Sequence, residues 1–406
     1  MILKLIVGRI LLPYILILST AEAISLWKPH YLQFSGFNKG PPVVSVTENT
    51  PKIPPLGLTG ESLLCYFERN LGPVNIPNEE SSKPVRINRL YESLAQYLKL
   101  EKQNGDAPSS ESCIPEDSIV AKLTKDVNIL GNVHSHNDYW RKLPLLEALL
   151  YGVTSVEADV WLYRNSTALA VGHNLGYLNT AQHDLRTLYL DPLVQILDQV
   201  NCHMDTESPL YGPFYDDPAQ QLLLYIDFKP AERRRTFIVL LEYLRPLIER
   251  GYLSYYDFET KTLTTGPITV ILTGNYPPDS EISFPNNRRY TFLDAPLHKL
   301  ASKHGLYTAS AVSIVASASM EQLLDYCNIM GASDTAFNPK HATDLPWKEI
   351  ECIKQHVSKA HEFGLQTRIW GVPQWPVHGR NILWKKLLDV GVDYLNVDDL
   401  RAVKNF

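Results

Sequence analysis

From residue 127 to the C-terminus, short and almost wholly apolar runs alternate with longer stretches of helical period. The apolar runs at 127–133, 154–162, 169–172, 222–228, 268–273, 290–293, 306–315, 366–371 and 394–397 predict strands. Between them, 143–151, 193–200, 233–250, 320–330, 347–363 and 382–390 carry apolar residues at the spacing of one helix face. Strands apolar on both sides and separated by helices imply a parallel sheet covered on both faces. Roughly eight such strands suit a closed (β/α)8 TIM barrel of the α/β class better than an open sheet. In that architecture the C-terminal strand ends converge on one mouth, so residues distant in sequence become neighbours.

The chain ahead of the barrel reads differently. Residues 24–126 are rich in Pro, Ser and Asn, with one helix-like stretch at 88–102, and predict an irregular N-terminal extension rather than a second domain. Residues 1–23 place Lys4 and Arg9 before the apolar run 10–18 and end on Thr20-Ala-Glu-Ala23. This is the layout of a secretory signal peptide cleaved after Ala23, and it points to the secretory pathway or the extracellular space. An uncleaved anchor starting nearer Met1 is the alternative. The barrel is thus expected over 127–406.

Among 406 residues, 45% are hydrophobic and 20% charged, enough for a sizeable core. A net charge of -6 without a concentrated positive run argues against a nucleic-acid partner. Five cysteines are scattered without a C-x-x-C pair, so zinc is not suggested, and their odd number leaves at least one unpaired within the chain. Asn165-Ser-Thr167 forms a glycosylation sequon in a turn between two strand-like runs.

Three polar clusters follow apolar runs: Asn132-Val-His-Ser-His-Asn-Asp-Tyr139, Val156-Glu-Ala-Asp-Val-Trp161 and Val171-Gly-His-Asn174. Packing alone gives no reason to gather so many ionisable groups at strand ends. Glu157 and Asp159 alternate along a strand, so both carboxylates face the same way. Held together, they repel unless a cation or proton sits between them, and oxygen ligands of this kind favour Mg2+ or Ca2+. Asp227, at the tip of the run 222–228, offers a third oxygen and Asn137 a fourth; Lys229 faces the same way as Asp227, as a donor to a phosphate or carboxylate oxygen. His136 and His173 can then divide proton transfer, one deprotonating the nucleophile and the other protonating the leaving group.

The set His136-Asn137 with Tyr139, Glu157-x-Asp159 and Gly172-His173 resembles the phospholipase C-like phosphodiesterase superfamily. Within it, His134-Ser-His-Asn-Asp-Tyr139, Pro144-Leu145 and Val156-Glu-Ala-Asp-Val-Trp161 resemble the fungal altered inheritance of mitochondria protein 6 family. The resemblance spans about 127–406. It implies a TIM barrel, catalysis by His136 and His173, metal binding by Glu157, Asp159, Asp227 and Asn137, and a tryptophan pocket wall at Trp370. The substrate it implies is a small-molecule or lipid phosphodiester, with contact at a membrane surface in keeping with the latter. The family's name points to mitochondria, whereas the residues point to secretion. The chain departs from the superfamily in having His-Asn-Asp for His-Arg-Gly and Asp227 for a glutamate, and in lacking the Trp-Thr-Val-Asn text near the C-terminus.

Other readings compete. His134 could replace His136 in catalysis, or orient it and touch substrate. Glu157 and Asp159 could instead pair with an arginine such as Arg141. Asp398 and Asp399 read as helix caps. His134-x-His136 mimics the metal pair of an amidohydrolase-type barrel, but the runs 268–273 and 290–293 carry none of the further histidines which that chemistry needs. A catalytically idle barrel serving as a binding module is the alternative outside enzyme chemistry.

Overall fold

A computed structural model of the chain describes residues 57–70, 118–162, 167–178, 183–202, 209–229, 232–300, 311–329 and 345–406. The signal-like segment, the helix-like stretch 88–102 and the sequon asparagine Asn165 lie outside the described residues.

Twelve strands are formed in chain order: β1 (Leu130–Ser135), β2 (Val153–Leu162), β3 (Leu169–Val171), β4 (Leu222–Phe228), β5 (Tyr255–Asp257), β6 (Thr262–Thr264), β7 (Ile268–Gly274), β8 (Arg288–Arg289), β9 (Thr291–Pro296), β10 (Val315–Ser319), β11 (Gln366–Trp370) and β12 (Tyr394–Val397). Eight of them, β1, β2, β4, β7, β9, β10, β11 and β12, pair in parallel, and β1 closes the sheet by pairing with both β2 and β12. The result is a closed barrel of the (β/α)8 type. The helices Asp191–Val200, Arg233–Glu249, Met320–Ile329, Trp347–Glu362 and Val377–Asp389 fall between its strands. β4 shows why the sequence chose this form. Leu222, Leu223, Leu224, Tyr225, Ile226 and Phe228 are all buried, as a strand between a barrel interior and a helix layer must be.

Three features depart from the sequence expectation. The strand sought at 306–315 lies at Val315–Ser319, a run of Ala and Ser whose low strand propensity hides a fully buried position. The extension is also not wholly irregular. Its helices Gly60–Asn70 and Ile119–Thr124 pack Leu63, Phe67, Ile119 and Leu123 into the same core as the barrel. The second is a single short turn and a half capped by Ser118, too brief for a period to register. A small antiparallel sheet, β6-β5-β8, was likewise not anticipated.

Cys327 and Cys352 form a disulfide that ties Met320–Ile329 to Trp347–Glu362; Cys202 is also disulfide-bonded and Cys65 is free. Among the described residues no helix is long and apolar enough to cross a membrane.

Strand register positions the polar residues. Asp159 on β2 pairs with Asp227 on β4, and Glu157 pairs with Tyr225. Asp227 in turn pairs with Thr273 on β7, one residue before Gly274. β3 folds back antiparallel on the end of β2, Val160 opposite Val171, and so returns the chain to the mouth just before His173.

Candidate active site

One ligand atom from each of Glu157, Asp159 and Asp227 lies within 4.8 Å of the other two. Register alone makes this cluster: i and i+2 on β2 face the interior, and the neighbouring parallel strand brings Asp227 level with Asp159. Gly274 leaves the space for it. At φ +72° it adopts a backbone that side-chain-bearing residues avoid, and a Cβ there would lie 1.8 Å from the Asp227 Oδ1.

Lys229 bridges the pair, its Nζ 2.8 Å from Asp159 Oδ2 and 2.6 Å from Asp227 Oδ2. Burial lowers the Lys229 pKa, but the charges of Asp227 and Asp159 outweigh it and raise it. The sequence reads this lysine as a donor to a phosphate or carboxylate oxygen, and in the structure it holds two carboxylates. Asp159 is pushed up to about 6 by burial and by the charges of Glu157 and Asp227. Glu157 goes the other way. Burial raises its pKa, yet His134, His136 and Arg368 outweigh burial and hold it well below the ordinary range. Three carboxylates this close repel one another, and a cation among them would relieve that repulsion. All donors in the cluster are hard carboxylate oxygens, which suits Mg2+ or Ca2+.

His136 follows the last residue of β1. Its Nδ1 lies 2.7 Å from Asp398 Oδ1, just past β12, and its Nε2 lies 3.8 Å from Glu157 Oε2. We assign the Nδ1 proton to the Asp398 bond, which leaves Nε2 as the acceptor. The amide of Asn137 donates to Glu157 Oε2 at 3.2 Å. Asn137 itself sits in the left-handed region at φ 48°, a conformation asparagine tolerates, and turns the chain away from the strand.

His173 presents Nδ1 to Asp159 Oδ2 at 3.2 Å, with the Tyr139 hydroxyl 3.3 Å away. That hydroxyl lies 2.7 Å from Asp159 Oδ2 and 2.6 Å from Asn137 Oδ1, so Tyr139 joins the two halves of the site. Trp140 packs its ring 5.4 Å from that of His173. Trp370, at the end of β11, is 39% exposed.

His134 lies deeper than His136. Expected near substrate, it is 0% exposed inside the barrel, with Nδ1 2.7 Å from Ser155 Oγ and Nε2 2.9 Å from an Arg368 nitrogen. Burial and the Arg368 charge lower its pKa to about 3, so it is neutral at ordinary pH. Arg141 is also not the partner of the two acids. It donates to Ser135 Oγ and the Asp398 carbonyl and pairs with buried Asp138, which accepts from the Leu145 amide and so pins the loop after β1. Asp399 does cap the final helix, Leu400–Lys404, whereas Asp398 serves His136.

Sequence reasoning missed Asp398, Tyr139 and Arg368. Tyr139 stood inside the first motif, so its spacing could have flagged it. Arg368 on β11 and Asp398 just past β12 lie outside the three polar clusters, and barrel closure alone brings them in.

Residues 121–294 match the model of the AIM6-like phosphodiesterase domain. The protein named altered inheritance of mitochondria protein 6 in Eremothecium gossypii is 47% identical over 399 residues, covering 98% of each chain. This chain belongs to that family. The Lachancea thermotolerans member is 42% identical over 359 residues, covering 86% of this chain and 81% of its own. The family match runs from ahead of β1 into β9 and therefore holds His136, His173 and all three clustered acids. A glycerophosphoryl diester phosphodiesterase structure from Parabacteroides distasonis shares 12% identity, with a TM-score of 0.34 over 71% of this chain and 91% of its own. A likeness that slight carries no weight; the barrel rests on the strand pairing.

Proposed function

We propose that this protein is a metal-dependent phosphoric diester hydrolase acting on a phospholipid-derived or glycerophosphodiester substrate. The observation that carries the reading is the convergence of Glu157, Asp159 and Asp227 within 4.8 Å, flanked by His136 and His173 on the two sides of the Asn137–Tyr139 turn. Membership of a family whose matching domain is called phosphodiesterase supports the same class.

Glu157, Asp159 and Asp227 would hold the ion, with Asn137 beside them. A divalent cation bound there would neutralise the charge that builds on the phosphoryl oxygens. His136, made more basic by Asp398, takes the proton of the attacking hydroxyl or water through Nε2. His173 delivers a proton to the oxygen of the departing alcohol as its bond to phosphorus breaks. Trp370 walls the pocket. Lys229 compensates the acids and is placed for a non-bridging phosphoryl oxygen once a cation takes over that role.

A secretory location is part of the proposal. Two disulfide-bonded sites, at Cys327–Cys352 and at Cys202, belong in an oxidising compartment.

The test is a panel of glycerophosphodiesters, lysophospholipids and sphingomyelin, incubated with Mg2+ or Ca2+ and resolved by mass. Cleavage that EDTA abolishes, that either ion restores, and that His173→Ala removes would support the reading. Turnover unchanged in EDTA, or a fully active His173→Ala, would remove the metal or the histidine. A folded protein that cleaves nothing would favour the idle binding barrel.

A further inference from the structure

Directly beneath the acid cluster lies a guanidinium that no motif announced. Arg368, on β11, is buried at 3% exposure. Its Nη1 lies 3.6 Å from Glu157 Oε1 and 2.9 Å from His134 Nε2, and donates to Asn396 Oδ1 at 3.1 Å. Its Nη2 lies 3.5 Å from Asp294 Oδ2, its Nε donates to Ser317 Oγ at 3.2 Å, and its plane sits 4.7 Å from the Tyr225 ring centre. These six partners come from six different barrel strands, β1, β2, β4, β9, β10 and β12.

TIM-barrel interiors are ordinarily filled by branched apolar side chains. A buried cation is tolerated only when paired and fully hydrogen-bonded, and replacing such a group by apolar residues is often neutral or stabilising. Stability therefore gives little reason for an arginine here. Its geometry gives another. Glu157 is gripped on both oxygens: Oε1 by the Arg368 charge below, Oε2 by the Asn137 amide above, which turns the carboxylate edge toward His136 and the other two acids.

We propose that Arg368 is a positioning residue that fixes the orientation of Glu157, and through it the divalent-cation site, without touching ion or substrate. The proposal rests on the reading of Glu157, Asp159 and Asp227 as cation ligands. Charge and orientation act in opposite senses here. A positive charge this close repels an incoming cation, so by Coulomb's law alone its removal tightens binding. If Arg368 orients the ligand, its removal weakens binding. Lysine keeps the charge and loses the planar fork that reaches several partners at once.

The experiment is calorimetric titration of Mg2+ or Ca2+ into the chelator-stripped full chain, alongside circular dichroism and melting of the metal-free protein. For Arg368→Lys and Arg368→Met the expected result is folded protein binding the ion about 10- to 100-fold more weakly, the usual effect of losing a partner of a metal ligand. In a Glu157→Gln background Arg368→Lys should add no further loss. Arg368→Lys binding like wild type, or Arg368→Met binding more tightly, overturns the proposal. Should both fail to fold, Asn396→Ala keeps the charge but frees one anchor of the guanidinium; weaker binding supports the proposal and unchanged binding overturns it. Wild-type protein that takes up no ion overturns the underlying cation-site reading, and the proposal with it.

Discussion

The imidazole of His136 meets the carboxylate of Asp398 at 2.7 Å, although 262 positions separate them in the chain. Barrel closure makes this contact: β1 pairs with β12, Ser135 beside Val397, so the residues that leave the two strands are neighbours. An acceptor on Nδ1 fixes the tautomer and leaves Nε2 to take a proton. Burial by itself pulls the His136 pKa down, but the Asp398 hydrogen bond and the charges of Glu157 and Asp398 outweigh it, and the net shift is upward.

Asp398→Asn should therefore act on turnover more than on substrate binding. A loss of roughly 10²- to 10⁴-fold in kcat is expected, within the range general acid–base groups contribute. The base works when deprotonated, so activity rises with pH through the His136 pKa. Removing the carboxylate lowers that pKa and moves the rise to lower pH. Phosphodiester cleavage measured across pH in wild type and variant checks both; an unmoved acid limb would show that Asp398 does not serve the histidine.

His134 makes a prediction about stability. Its folded pKa is about 3, against 6.5 for the free side chain. Between those values the unfolded chain binds the extra proton and the folded chain does not. The contribution is thus fully present above pH 6.5 and is lost as pH falls toward 3. Urea unfolding at stepped pH should show wild-type stability falling on the acid side of 6.5. His134→Gln should show a flatter slope in the upper part of that window, below which the carboxylates also titrate. Equal slopes would mean that the imidazole titrates freely in the fold.

Gly274→Ala should damage fold and site together. The left-handed backbone alone costs alanine about 1–2 kcal/mol. Its Cβ would also fall 1.8 Å from Asp227 Oδ1 and 2.8 Å from the Phe228 carbonyl oxygen. The expected result is a lowered melting temperature and weakened ion uptake, read by thermal melts with and without Mg2+ or Ca2+. A variant with wild-type ion stabilisation would show that Asp227 can move at no cost to the cluster.

The Cys327–Cys352 bridge closes a sequence separation of 25 residues. Loop-closure entropy puts its worth at about 3.5 kcal/mol. A Cys327→Ser, Cys352→Ser double variant should unfold at lower urea while keeping its activity, because the bridge ties helices outside the barrel and touches none of the clustered acids.

How far the sequence reached is clearest at β1. A period of two puts His134 and His136 on one face, and nothing local separates their roles. The strand ends at Ser135, so His134 stays in the interior while His136 steps out at the mouth, 27% exposed. Glu157, Asp159 and Asp227 were legible because alternation on a strand is a local rule, and parallel register carries it to the neighbouring strand. Arg368 was not, because nothing within the run 366–371 shows what an arginine there meets until the barrel closes around it.

Local pattern was enough for the apolar strands, the helices between them, and the motifs that place two imidazoles and three carboxylates at strand ends, because backbone periodicity is set within a few residues. The tertiary structure decided which histidine faces the mouth, that Asp398 serves it, and that Arg368 lies under Glu157. Those contacts cross the closure of the barrel. Their geometry is fixed by strand register and tilt around the whole ring, which no local stretch of sequence encodes.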